Sequence, residues 1–492
     1  MSENIKIKSD ELSFAARGQA VVEARQPLET ECRVLSVSAA AATTPSEVFA
    51  GEARYIGKVK FDCLVLTGGR VECMSAVAEF SDKITSPAIV AGAAVNIVPE
   101  VINVEASAEG GTLKAVAVVD TTAVTATSEE YSCLAEPDDG VYAEKRAVEY
   151  CTVCAEQTET AYVTDSVGGA KCAEILCASS RAVVTGVEAA DGEIKASGSV
   201  YTDVIIRTDD DMTSSTKIVT PFVKSIAALG ANEGNVAYAE VAVTDSTATL
   251  VADENRIELA VTLAVSATAF ACRTAEVVTD VFCADYEIEP KTAEAKYCIV
   301  EPLATVTDTV DGQIPLADDR LAADNVLCVS GAFVTVTSAT VEDKRVNVEG
   351  LVGGDIVYYN AEKNAVDSLS FRLPFSMPLS VHTDAKNAHV TACVTDVAVR
   401  VRRESVFDIK AEIAFTVMSS TPQSCRIIES VGMGEAIPRP DASVIIHIAK
   451  AGETLWQAAK ALCCSPERVE QQNDATAPYA GGERLVNFCS KQ

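Results

Sequence analysis

The sequence predicts a mainly β chain: three repeated antiparallel β modules, each a sandwich or barrel, followed by a small C-terminal β-α-α-β domain. Three observations predict it. The stretch Val34-Leu35-Ser36-Val37-Ser38 returns as Ile175-Leu176-Cys177-Ala178-Ser179 and as Val326-Leu327-Cys328-Val329-Ser330. Each copy is followed by a glycine strand, at Gly57, Gly198 and Gly350, and then by Phe80, Phe222 and Phe375. The glycine strands alternate apolar and polar residues, most clearly over Lys58–Val65, which gives one face to a core and one to water. Copies more than a hundred residues apart are too long for a solenoid repeat and read as duplicated domains.

In chain order, residues 1–19 read as a mobile polar lead-in and 20–135 as the first module. Residues 136–165 and 276–310 read as acidic, proline-bearing connectors (Pro137, Pro290), and 166–275 and 311–425 as the second and third modules. Late strand pairs are expected at Val95–Glu105 with Leu113–Val124, Val236–Leu250 with Arg256–Ala269, and His389–Val401 with Phe407–Val417. Glu109-Gly110-Gly111, Ala252–Asn255 and Arg402–Ser405 supply their turns. Residues 426–442 read as a linker that includes Gly432–Pro440, and residues 443–492 as the last domain. There, Thr454 to Gln457 fits a capping box, and Ser465-Pro466-Glu467 a second helix start.

Composition narrows the function. With a net charge of −31 and no basic cluster, nucleic acid and anionic membrane surfaces are poor partners. The opening MSENIKIKSDELSF lacks the apolar core of a secretory signal, and no apolar run approaches the roughly twenty residues of a membrane span. The expectation is a cytoplasmic protein. Scattered cysteines such as Cys63 and Cys393 lie inside apolar strands, as reduced thiols do.

Candidate chemistry is thin. Gly51 to Gly57-Lys58 has five residues between its glycines, and Val59 stands where a phosphate loop needs Ser or Thr. Cys151-x-x-Cys154 has the spacing of a redox pair or of half a zinc site, but no second pair lies at finger spacing and the matching connector keeps only Cys298, so it reads as structural. His382, His389 and His447 are few, two of them in strand patterns, and read as core or surface residues and not as metal ligands, and Cys463-Cys464 suits a helix end with one thiol in the core. No enzyme, cofactor or metal is expected. Trp456, the only tryptophan, is either core packing or an interface anchor.

The C-terminal stretch resembles a LysM domain through Ala451–Trp456, Ala458-Ala459-Lys460, Ser465-Pro466-Glu467, Val469, Asn473 and Gly482–Leu485. LysM domains commonly bind N-acetylglucosamine polymers such as peptidoglycan between two loops. The resemblance places that groove at Gly452, Glu453, Thr454, Leu455, Trp456, Asn473, Asp474, Tyr479 and Gly481. The loop Asp474–Tyr479 and the Asn487-Phe488 end depart from the usual LysM pattern. The repeated modules resemble SPOCS (DUF3794) domains through the leucine-serine strand, the glycine strand and Thr220-Pro221-Phe222 or Leu373-Pro374-Phe375; the first copy has Glu79-Phe80 instead. This domain order is similar to that of SipL-like clostridial spore morphogenetic proteins. The resemblance implies a non-enzymatic adaptor of spore envelope assembly on the mother-cell side of the forespore. Its LysM domain would dock onto the coat-basement morphogenetic ATPase. Exposed strand edges leave self-association open.

Overall fold

The computed structural model describes residues 4–168, 171–316, 323–402, 405–437 and 444–488. Among these the chain is mainly β, in small antiparallel sheets, with two short α-helices near the C-terminus. The first strands are β1 (Asn4–Pro27), β2 (Arg33–Phe49), β3 (Glu52–Thr67), β4 (Arg70–Thr85), β5 (Val95–Glu109) and β6 (Thr112–Leu134). Next come β7 (Val141–Gly168), β8 (Cys172–Ala190), β9 (Glu193–Thr208), β10 (Thr213–Ala227), β11 (Val236–Val251) and β12 (Arg256–Cys283). A further group follows: β13 (Tyr286–Val300), β14 (Ala304–Pro315), β15 (Ala323–Glu342), β16 (Arg345–Asn360), β17 (Ala365–His382), β18 (Asn387–Arg402) and β19 (Val406–Ala436). The chain closes with β20 (Val444–Ile448), α1 (Leu455–Leu462), α2 (Pro466–Gln472) and β21 (Arg484–Phe488).

Sheet order recurs along the chain. The meanders β2-β3-β4, β8-β9-β10 and β15-β16-β17 face the sheets β1-β6-β5, β7-β12-β11 and β14-β19-β18. Inward residues of each facing pair make one core. Phe61, Val65 and Val119 centre the first, Val200, Leu263 and Val265 the second, and Val352, Ile413 and Phe415 the third.

The recurring sequence landmarks have a structural cause. Gly57 lies opposite Phe80, Gly198 opposite Phe222, and Gly350 opposite Phe375. Each ring lies over its glycine, so a Cβ on Gly57 would stand 2.4 Å from Phe80 and one on Gly350 2.5 Å from Phe375. The glycines therefore sit mid-strand, not at strand starts. The leucines mark a bulge: Val34 and Ser36 pair with successive residues of β3, leaving Leu35 without a partner, and Leu176 and Leu327 are skipped likewise. The three bulged leucines meet in a single apolar cluster with Leu64, Ile205 and Val357. Cross-links reinforce that junction: Arg33 binds Asp367 (2.7 Å), and Arg207 donates to the Val71 carbonyl (2.8 Å).

The lead-in and connectors differ from expectation. Asn4–Pro27 is strand β1, paired along its length with β6, and 141–165 lies within β7. Two polar residues, Ser9 and Asp10, interrupt the apolar pattern of β1, and both are buried. Their groups are satisfied at a distance: Asp10 accepts the Val153 N–H (2.8 Å), and Ser9 Oγ accepts the Cys298 N–H (2.9 Å). Likewise, β12 and β19 run past residues 275 and 425, and β13 pairs with the far half of β19. The three ribbons β1–β6, β7–β12 and β13–β19 thus share a core of Ile7, Tyr150, Val277, Tyr297 and Ile427. The Asn4 side chain reaches the Glu429 carbonyl (3.5 Å). Of the expected linker 426–442, residues 426–436 belong to β19, and 438–442 lies outside the described residues. So do 403 and 404 in the Arg402–Ser405 turn.

Candidate functional site

The C-terminal elements β20, α1, α2 and β21 build the site. Thr454 caps α1 in a two-way capping box with Gln457, which satisfies two free backbone donors. Cys463 takes the left-handed conformation that ends α1 (φ 49°), while Cys464 is buried. Ser465 caps α2, with Pro466 in the first turn. Strands β20 and β21 pair antiparallel, with Ile446 opposite Val486 and Val444 opposite Phe488. Their inner face, carrying Ile445 and Leu485, packs with Trp456, Leu462 and Val469.

The two loops that were expected to form a groove do lie together. The Gly452 N–H donates to the Tyr479 carbonyl (2.8 Å), and the Tyr479 N–H donates to that of Glu453 (3.0 Å). Most of the larger side chains named for the groove are spent internally. Glu453 is buried; its oxygens meet His447 Nε2 and the Lys450 N–H, both at 2.7 Å. The Lys450 N–H, with help from His447, holds its carboxyl below the usual range. Asn473 donates to the Val469 and Val486 carbonyls and accepts the Val486 N–H, tying α2 to β21. Tyr479 is buried. Gly481 has φ +102°, and a Cβ there would meet Ala451 N at 2.9 Å, so only glycine fits. Gly452, Thr454 and Asp474 are exposed on the loop rims, with Leu455 half-buried beside them.

Trp456 turns toward the end of β12. Its ring packs edge-on against Phe282 at 4.9 Å, with Tyr142 behind, and its indole N–H donates to Asp280 (2.9 Å). Lys460, one turn on, reaches both Asp280 oxygens at 3.0 and 2.8 Å. Burial opposes the Asp280 charge, but Lys460 and Trp456 outweigh it and hold the carboxyl below its ordinary range. The C-terminal unit is thereby docked onto the end of the β7–β12 ribbon.

The feature that sequence reasoning missed is the outer face of β20–β21. Ile446 (63% exposed), Ile448 (62%), Phe488 and Val444 form an apolar surface edged by Arg484, and no described residue covers it. The signal was present as Ile446 and Ile448, alternating with the inward Ile445 and His447.

The other candidates separate. Gly51 sits in the turn between β2 and β3, and the backbone around Gly57 is engaged in the ladders to β2 and β4, which leaves no phosphate cradle. Cys154 is the bulged residue of β7, its thiol directed to Asn235 and the Ala269 carbonyl, while Cys151 stands opposite Cys272. His389 stacks on Phe14, His447 binds Glu453, and His382 ends β17. Among the described residues no group of three or more His, Cys, Asp or Glu side chains is arranged to hold a metal ion. No described helix is long and apolar enough to cross a membrane.

Fold and site together define a mainly β chain that carries a small, intramolecularly docked β-α-α-β unit. No protein-family model matches the chain, and no curated protein matches it.

Proposed function

We propose that the chain is a non-enzymatic structural adaptor: three SPOCS-type β modules carry a LysM-type head that docks onto the coat-basement morphogenetic ATPase during spore envelope assembly. The observation that carries this reading is the outer face of β20–β21. An apolar patch formed by Val444, Ile446, Ile448 and Phe488 suits a protein partner better than a hydrated sugar chain. The inward commitment of Glu453, Trp456, Asn473 and Tyr479 adds to it, because these groups are unavailable to a glycan.

The test uses the full chain. Ile446→Asp and Ile448→Asp should each weaken capture of the ATPase at least tenfold, with Trp456 fluorescence unchanged because Trp456 packs on the opposite face. Failure of the intact chain to bind the ATPase would sink the reading. A second reading, a peptidoglycan-binding wall protein, is favoured by the joined loops with exposed Gly452, Thr454 and Asp474. It predicts sedimentation with insoluble peptidoglycan that Ile446→Asp leaves intact and Asp474→Ala reduces.

A further inference from the structure

Two cysteines that the sequence keeps far apart face each other across a ladder. The bulge at Cys154 shifts the β7–β12 register by one residue, which sets Cys151 directly opposite Cys272. Directly opposed antiparallel residues have Cα atoms about 4.5–5.5 Å apart, inside the roughly 4.4–6.8 Å that a disulfide spans. Cys151 is a buried residue and Cys272 an exposed one, so the pair is approached from the Cys272 side. The Cys151 sulfur receives two donors, the Cys272 thiol and the Val300 N–H at 3.4 Å from β13. Nearby thiols are otherwise engaged: Cys154 donates to Asn235 and the Ala269 carbonyl, and Cys298 to the Ile299 carbonyl.

We propose that Cys151 and Cys272 form a reversible dithiol–disulfide couple, oxidised by a low-molecular-weight disulfide, that cross-links β7 to β12. The Cys272 hydrogen bond, aided by the Val300 N–H, draws Cys151 down to about 7 against the effect of burial, while Cys272 is raised. The pair therefore gives up its first proton near neutrality and holds its second tightly. Cys272 passes its proton to Cys151 across their hydrogen bond and attacks one sulfur of the oxidant. This forms a mixed disulfide and releases one thiolate. Cys151 then gives its proton to that thiolate and attacks the Cys272 sulfur, displacing the second half of the oxidant. Two protein thiols become one disulfide, and one oxidant disulfide becomes two thiols. The bond would stiffen the ribbon whose far end, at Asp280 and Phe282, carries the C-terminal unit.

The experiment equilibrates the full chain with glutathione and glutathione disulfide at several ratios, traps free thiols by alkylation, and maps peptides by mass spectrometry. The expected product is a peptide pair joining Cys151 to Cys272, short of two hydrogens and restored by excess dithiothreitol. Cys154→Ser should leave it in place, whereas Cys151→Ser should stop at a stable glutathione adduct on Cys272. Three results would overturn the proposal: Cys151 and Cys272 alkylated without a cross-link at every ratio, a Cys151–Cys154 link, or a link confined to the half-buried Cys73 and Cys177. The unmutated chain decides the matter even if a variant fails to fold.

Discussion

Asp280 shows how much one carboxylate can organise. It accepts from both Trp456 and Lys460, and it stands 176 residues from the tryptophan, so sequence spacing gave no hint of the pairing. Asp280→Ala should cost the docked arrangement about 1–2 kcal/mol, one hydrogen bond plus a partly exposed ion pair. Trp456 is the only tryptophan, so a red shift of its emission reads that loss directly. The sign with pH follows from the lowered carboxyl. Its contribution is present above the unfolded-state value and disappears as pH falls through the folded one, so the same red shift should appear on acidification in the unmutated chain. Glu156 behaves oppositely, because burial lifts it to about 7. The folded state then holds the proton more tightly, and stability drains as pH rises from the ordinary carboxylate range to about 7. Glu156→Gln should raise the thermal midpoint at pH 8 and leave it nearly unchanged at pH 4.

At the level of elements, the glycine–phenylalanine spacing was legible as a regularity but not as a cause. Alternation such as Lys58–Val65 gave the strands, and local capping chemistry gave α1 and α2, because both signals are short-range. Asn4–Pro27 was hidden because Ser9 and Asp10 find their partners in other ribbons, so the local pattern looks too polar for a strand. The two loops at Gly452 and Tyr479, which do meet, were legible. The inward turn of Trp456 was not, since nothing local marks Phe282 as its neighbour. The glycines also rank. A Cβ at Gly198 would stand 2.1 Å from the Val183 carbonyl and one at Gly350 2.4 Å from that of Thr335, whereas at Gly57 the nearest atoms belong to the Phe80 ring. A ring can shift; a carbonyl held in a ladder cannot. Gly198→Ala and Gly350→Ala should each cost about 1–3 kcal/mol and Gly57→Ala less, as ordered by thermal midpoints.

Over the whole molecule, the bulged leucines and their neighbours hold three sheets against one another. Leu35, 5% exposed, is the most deeply set of the three. Leu35→Ala should cost about 2–5 kcal/mol, seen as a lowered denaturation midpoint. The Arg33–Asp367 contact in that junction spans 334 residues. At the roughly 5–20 residues per second of synthesis, the sheet bearing Leu35 leaves the ribosome on the order of twenty seconds to a minute before its cover exists. During that interval the third sheet of another nascent chain would serve equally well. Translation at high copy number should therefore yield exchanged dimers, in which each polypeptide closes its neighbour's junction in place of its own.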